Sequence, residues 1–184
     1  MTIKGRGFGG VMPAARMLAA ALARQGKFVQ AFPATEHERS QAPFEAMLRF
    51  DDERIDLRCL VTHPDHMIVM DPRLLAQPGS VDALEPNGWL IVNHPKRPHE
   101  TKPPEHLSSV RLATVDANRI ETHCKAWDVR TEALAGTMAG AFARVTGLVD
   151  LAQLVETIGE SEGRCSDSCI SCARLAFEEV CFER

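Results

Sequence analysis

The sequence has no tyrosine, and it lacks the patterns of several classes of protein. No apolar run approaches the roughly 20 residues that cross a bilayer, and the N-terminus has no basic segment followed by an apolar one, as export signals have. We therefore expect no membrane span and a cytoplasmic location. Twenty-one Lys and Arg face 25 Asp and Glu, for a net charge of -4, and the basic residues are dispersed. This distribution argues against nucleic-acid binding.

Short catalytic motifs are missing as well. The chain has no G-x-S-x-G nucleophile elbow and no phosphate-binding P-loop, and the lack of tyrosine removes a common general acid. None of its seven histidines forms an H-x3-H pair on a predicted helix, so we interpret them as loop residues. These common catalytic motifs are therefore not predicted in this chain.

What the chain does contain is the composition of one folded domain. Hydrophobic residues make up 45% and charged residues 25% of 184, enough for a continuous core. Apolar runs typical of strands occur at residues 1–4, 28–32, 46–50, 67–70, 89–92 and 110–115. Helical patterns occur at 13–25, 117–125, 131–146 and 151–158. This order predicts an α/β domain over residues 1–158, with a mostly parallel sheet flanked by helices, and a cysteine-rich extension over 159–184.

A glycine turn joins the first predicted strand to the first predicted helix. Gly5, Gly7 and Gly10 have G-x-G-x-x-G spacing, which can present backbone N–H groups and a helix N-terminus to a phosphate. No acidic residue ends the next strand, where a dinucleotide-binding fold contacts the ribose. The turn is therefore consistent with a dinucleotide site or with a tight turn that binds nothing.

Four of the six cysteines lie in the extension. Cys165, Cys169 and Cys172 have C-x3-C-x2-C spacing on a predicted tight loop, and Cys181 is a candidate fourth ligand from a following helix. Such a set suits a [4Fe-4S] cluster or a closed zinc site, and unligated or disulfide-forming thiols are the third interpretation.

Several ordered segments are similar to one family. The chain resembles the gamma subunit, or the equivalent domain, of the 2-oxoacid:ferredoxin (acceptor) oxidoreductases. The matching segments are Gly5-Arg6-Gly7-Phe8-Gly9-Gly10-Val11, Gln30-Ala31-Phe32-Pro33, Ile68-Val69-Met70-Asp71-Pro72, Leu84-Glu85-Pro86-Asn87-Gly88, Ile91-Val92-Asn93 and Met138-Ala139-Gly140-Ala141-Phe142.

The resemblance implies one subunit of a complex that oxidatively decarboxylates a 2-oxoacid to an acyl-CoA. It implies alpha, beta and ferredoxin-like delta subunits as partners, thiamine diphosphate and Mg on those partners, and ferredoxin or another electron acceptor. Coenzyme A would contact a turn lined by Gly5, Arg6, Gly7, Phe8, Gly9, Gly10 and Val11, with Glu38 and Arg39 on the neighbouring loop. A cluster on the cysteine extension would add this chain to the electron path. The alternatives are a free-standing nicotinamide-binding Rossmann-type oxidoreductase and a zinc-stapled interaction module.

Overall fold

A computed structural model describes residues 1–6, 10–34, 43–101, 110–160 and 166–182. Its strands are β1 (Thr2–Arg6), β2 (Phe28–Pro33), β3 (Pro43–Asp51), β4 (His66–Val69), β5 (Trp89–Asn93), β6 (Arg111–Val115) and β7 (Cys181–Phe182). Its helices are α1 (Val11–Arg24), α2 (Ala117–His123), α3 (Arg130–Thr146), α4 (Leu151–Glu160) and α5 (Ser166–Glu179). Within the described ranges, no helix has both the length and the apolar character needed to cross a membrane.

The strands form one sheet in the order β2-β3-β1-β4-β5-β6-β7. The pairs β1–β4, β4–β5 and β5–β6 are parallel, whereas β1–β3, β2–β3 and β6–β7 are antiparallel. The α/β class is confirmed, but the sheet is mixed. The central strands β1, β4, β5 and β6 are parallel to one another, and antiparallel strands complete both edges.

The two faces of the sheet carry different layers. Alternate strand residues such as Ile3, Ile68 and Ile91 pack against all five helices in the main core. A smaller core lies on the opposite face and contains Met67, Val69, Leu74, Val81, Leu84, Leu90 and Val92. The crossover between β4 and β5, which includes a 3₁₀ turn at Pro72–Ala76, therefore covers that face of the central strands.

The C-terminal segment is part of this core. Helix α5 packs along α3, and α5 contributes Cys169, Cys172, Ala173 and Ala176 to the main cluster. Two predictions about this segment were wrong: Cys169 and Cys172 lie within a helix rather than on a tight loop, and Cys181 lies in β7 rather than on a helix. Strand β7 extends the sheet beside β6.

Candidate functional site at the carboxyl edge of the sheet

The connection from β1 to α1 needs glycine at two positions. A Cβ on Gly5 would lie 2.6 Å from Cγ2 of Val11, so glycine lets β1 and α1 approach closely. Gly10 has φ +85°, and a Cβ there would lie 2.8 Å from the carbonyl oxygen of Thr131. The first turns of α1 and α3 are therefore held together at this edge.

The N-terminus of α1 has no side-chain cap among the described residues. Gly10 is its N-cap residue and supplies no side-chain hydrogen bond, and the first turn has no acidic residue. Val11, the first helical residue, is buried in the core. Unpaired N–H groups and the helix dipole give such an end a partial positive charge.

A cluster of charged side chains follows β1 and β4 at the same edge. Asp71 accepts hydrogen bonds from Nε of Arg73 at 2.9 Å and from Nη2 at 2.7 Å. These bonds to Arg73 hold the pKa of Asp71 below its usual range, although partial burial opposes them. Arg73 itself is largely exposed, with 69% of its side chain accessible.

Arg6 is less completely paired than Arg73. Its Nε lies 3.5 Å from Oδ2 of Asp71, and this buried nitrogen has no hydrogen-bond partner among the described residues. Since no described residue accepts a hydrogen bond from this Nε, Arg6 retains one donor for another acceptor. The side chain of Arg6 is 28% exposed, so an anion can reach the edge at which it lies.

Asn93 holds neighbouring elements in register at this edge. Its Nδ2 donates to the carbonyl oxygen of Met70 at 3.1 Å, and its Oδ1 accepts from the backbone N–H of Ala117 at 3.1 Å. This buried amide thus ties the end of β4 to the start of α2. Both polar atoms of the Asn93 side chain are bonded to the backbone, so we assign Asn93 a structural role.

Two cavities flank the 3₁₀ turn at Pro72–Ala76 at this edge. The first has a volume of 300 Å³ and is lined by Lys4, Glu45, Gln77, Ser80 and other residues. Lys4 donates to the carbonyl oxygen of Ser80 at 2.7 Å. The second, of 390 Å³, is lined by Leu75, His94, Lys96, Glu100 and Thr101 together with Pro72. A larger cleft of 680 Å³ lies at the opposite edge, near Met1 and His66, away from the glycine turn.

Some predicted site residues fall outside the described ranges. They are Gly7, Phe8, Gly9, Glu38, Arg39 and Cys165. The loop that contains Glu38 and Arg39 nevertheless ends at this edge, because Pro43 pairs with Arg6 across β1 and β3. The structure therefore brings together Gly5, Arg6, Gly10, Val11 and one end of that loop.

The cysteines of the C-terminal segment do not fit a cluster in the residues that are described. Cys169 and Cys172 are buried in the core, and Cys181 lies in β7 with its thiol 3.6 Å from the carbonyl oxygen of Glu179. No three His, Cys, Asp or Glu side chains in the described ranges are placed to hold a metal ion. Burial, followed by hydrogen bonding to Cys124, raises the pKa of Cys172, so it is a protonated thiol. A four-cysteine site remains a prediction that depends on Cys165.

Sequence reasoning missed the roles of Asp71, Arg73 and Asn93. Asp71 lies two residues after the end of the buried strand β4, and Asn93 ends the buried strand β5. The carboxyl ends of neighbouring parallel strands meet at one edge of a sheet, and ligands bind there in open α/β folds. Polar residues that end consecutive apolar runs were the pattern that could have identified them.

Comparison with known proteins agrees with this architecture. The family model described as pyruvate ferredoxin/flavodoxin oxidoreductase matches residues 1–179. The pyruvate synthase subunit PorC of Methanocaldococcus jannaschii is 35% identical over 178 residues, which cover 96% of this chain and 93% of that protein. The pyruvate/ketoisovalerate oxidoreductases common subunit gamma of Thermococcus kodakarensis is 35% identical over 177 residues, which cover 96% and 94%.

Solved structures show the same fold. Pyruvate oxidoreductase subunit PORC of Thermotoga maritima aligns with a TM-score of 0.80 and 30% identity over 100% of this chain and 97% of that one. The 2-oxoglutarate:ferredoxin oxidoreductase of Magnetococcus marinus, solved with 2-oxoglutarate, coenzyme A and succinyl-CoA bound, aligns with a TM-score of 0.73 and 18% identity. That match covers 96% of this chain and 29% of the other. Since the family match spans nearly the whole chain, this protein belongs to the pyruvate ferredoxin/flavodoxin oxidoreductase family, as a subunit of the gamma type.

Proposed function

We propose that this chain binds part of coenzyme A at the carboxyl edge of its sheet, within a complex that converts a 2-oxoacid to an acyl-CoA. The alpha, beta and ferredoxin-like delta subunits complete that complex, with ferredoxin or another carrier as the electron acceptor. Thiamine diphosphate and Mg, held by the partner subunits, supply the decarboxylation chemistry when bound. We further propose that the complex acts in the cytoplasm.

The incomplete pairing of Arg6 carries this proposal. Coenzyme A has a pyrophosphate and a separate phosphate, and guanidinium groups bind such anions through charge-assisted hydrogen bonds. The Nε of Arg6 has no hydrogen-bond partner among the described residues, and Arg6 ends β1 at the same sheet edge as the N-terminus of α1, where backbone N–H groups also favour an anion. Oδ2 of Asp71 lies 3.5 Å from this Nε, close enough for ionic attraction, but accepts no hydrogen bond from it.

No proton-transfer step is assigned to these residues. Arg6 and Arg73 are permanent cations, and Asp71 remains ionised because Arg73 lowers its pKa. The edge therefore suits binding and orientation of an anionic substrate, while the reacting groups come from the partner subunits.

The substitution Arg6→Gln in the assembled complex tests this proposal. We expect the KM for coenzyme A to rise about tenfold or more, because hydrogen bonds between charged groups are worth about 1.5–3 kcal/mol. The KM for the 2-oxoacid should stay unchanged. Steady-state reduction of a viologen dye at varied coenzyme A and varied 2-oxoacid measures both constants.

Arg24→Gln is the matched control. Arg24 ends α1 at the far side from the glycine turn, where it pairs with Glu156 at 3.3 Å and with Glu160. The Arg24→Gln substitution should leave the KM for coenzyme A and the KM for the 2-oxoacid unchanged. Equal KM values for coenzyme A in wild type and Arg6→Gln would refute this site, and saturable binding of NAD(H) that depends on Arg6 would favour a nicotinamide enzyme.

A further inference from the structure

Strand β2 leaves one edge of the sheet open. It is the outermost strand, and in the described part of the chain it pairs only with β3. Its sequence, Phe28-Val29-Gln30-Ala31-Phe32-Pro33, contains no charged residue. Soluble proteins usually protect a free edge with charged residues, bulges or a covering segment. Of these devices, the described part of β2 itself has a proline at its end.

The pairing with β3 determines which backbone groups face outward. The N–H of Ala34 donates to the carbonyl oxygen of Glu45 at 2.9 Å, so even-numbered residues of this strand bond to β3. Val29 and Ala31 therefore direct both their N–H and C=O groups to the open edge. Pro33, the next outward residue, has no N–H to offer.

Apolar side chains surround the same edge. Two exposed large hydrophobic residues lie there: Phe28 in β2 itself, with an exposure of 49%, and Leu57 in the groove beside it, with 60%. Leu57 and Arg58 form a groove of 480 Å³ with residues 29–32. Gln30 holds this neighbouring segment in place by donating to the carbonyl oxygen of Ile55 at 3.1 Å.

Side chains alternate between the two faces of β2. Val29 packs towards the main core and the helices. Phe28, Gln30 and Phe32 therefore share the opposite face, on which the segment with Ile55 and Leu57 lies. Phe28 and Phe32 are placed symmetrically about Gln30 on that face.

We propose that β2 pairs with β2 of a second copy of this chain, antiparallel about a two-fold axis at Gln30. Val29 of each copy then faces Ala31 of the other, and each pair exchanges two hydrogen bonds. Phe28 of each copy lies opposite Phe32 of the other in a pair without hydrogen bonds, where side chains approach most closely. The interface is isologous and pairs the outward N–H and C=O groups of Val29 and Ala31 in both strands.

A second copy fits this edge better than an unrelated strand because the pattern is self-complementary. Each outward donor meets an outward acceptor, and the two aromatic pairs form only in the register centred on Gln30. The adjoining segment has charges of both signs, such as Arg54 beside Asp56 at 3.2 Å and Lys27 beside Asp52. Since positive and negative charges are both present in this segment, its electrostatics do not favour a partner of one charge sign. This inference does not depend on coenzyme A binding.

Sedimentation equilibrium of the full chain tests the pairing. We expect a reversible dimer whose dissociation constant rises about tenfold or more in Ala31→Pro, since two of the four hydrogen bonds are lost. The N–H of Ala31 makes no bond to β3, so proline is tolerated at this edge. Phe28→Lys should weaken the dimer in the same way, and Trp127→Lys, which changes an equally exposed residue elsewhere, should not.

Cross-linking tests the register. In a Cys59→Ser background, Gln30→Cys places two thiols opposite each other, with Cα atoms about 4.5 Å apart, within reach of a disulfide. Oxidised glutathione should join these copies, whereas Phe32→Cys, which faces Phe28, should remain uncoupled. A monomeric wild type, or a dimer that Ala31→Pro and Phe28→Lys leave unchanged, would overturn the proposal. The proposal would also be overturned if the β2 edge served only to bind the other subunits of the complex.

Discussion

At the scale of single residues, His66 is a titratable group whose neutral form the fold requires. It begins β4, and its Nδ1 accepts a hydrogen bond from the backbone N–H of Trp89 at 3.3 Å. Its ring meets Phe142 edge-on at 5.9 Å. Burial lowers the pKa of His66 below its ordinary value, against a smaller opposing effect of Asp65. Protonation of Nδ1 would also break the bond to Trp89.

This arrangement predicts a loss of stability on mild acidification. Histidine in the unfolded chain titrates near pH 6.5, and the folded state binds its proton only at lower pH. The unfolded state therefore takes up the proton first, and the free energy of unfolding falls as the pH drops through that value. In His66→Asn, whose amide oxygen can still accept from Trp89, we expect a shallower decline between pH 7 and pH 5, measured by urea unfolding.

His63→Asn is the control for this pH dependence. The His63 side chain is 72% exposed and lies 3.8 Å from Glu85. Its removal should leave the slope of stability against pH close to that of wild type. If His66→Asn and wild type lost stability in parallel on acidification, burial of His66 would not be the cause.

At the scale of elements, the close packing of α3 on α5 depends on small residues. A Cβ on Gly136 would lie 2.9 Å from the carbonyl oxygen of Cys169, and one on Gly140 would lie 2.1 Å from that of Ala173. The cysteines of α5 thus occupy positions where small, weakly polar side chains pack well. Their burial is explained by helix packing without a metal.

The sequence predicted most elements and the C-terminal part of α5, but it placed Cys169 and Cys172 on a loop, for a physical reason. Cys165, Cys169 and Cys172 recur at intervals of four and three residues, which suits both a ligand loop and one face of a helix. The glycines of α3 indicate that another element packs closely against this helix, but the sequence alone does not identify that element. The sequence pattern did not indicate the order of the strands either. In the structure β3 lies between β2 and β1 and runs antiparallel to both.

The helix contact predicts a large effect of Gly140→Ala. The added methyl group would overlap a backbone oxygen that cannot move without shifting α5. We expect the free energy of unfolding to fall by about 3 kcal/mol, the upper range for overpacked cores. Chemical denaturation followed by circular dichroism measures the change.

Gly159→Ala is the matched control for the helix contact. Gly159 lies in α4, and a Cβ there would meet only Cδ1 of Ile170 at 3.7 Å. Stability should be unchanged or rise by up to about 1 kcal/mol, because alanine favours the helix. If Gly140→Ala and Gly159→Ala changed the free energy of unfolding by similar amounts, α5 would not be packed closely against Gly140.

At the scale of the whole molecule, the sheet separates two surfaces. Its carboxyl edge carries Arg6 and the N-terminus of α1, and its lateral edge is the open strand β2. The helices cover one face, and the crossover between β4 and β5 covers the central strands on the other. Such a layered subunit can contact anionic substrate and another chain through different surfaces at the same time.

The packing of α5 in the main core also makes a prediction about residues 161–184, which form most of the extension predicted over 159–184. Removing them would delete α5 and β7, uncover Gly136 and Gly140 of α3, and take Cys172, Ala173 and Ala176 from the main core. We expect the chain ending at residue 160 to lose its cooperative thermal transition, because exposed apolar surface replaces tight packing. Calorimetry beside the full-length chain measures this loss. If the shortened chain unfolded in one sharp transition near the full-length midpoint, residues 161–184 would be a separate appendage.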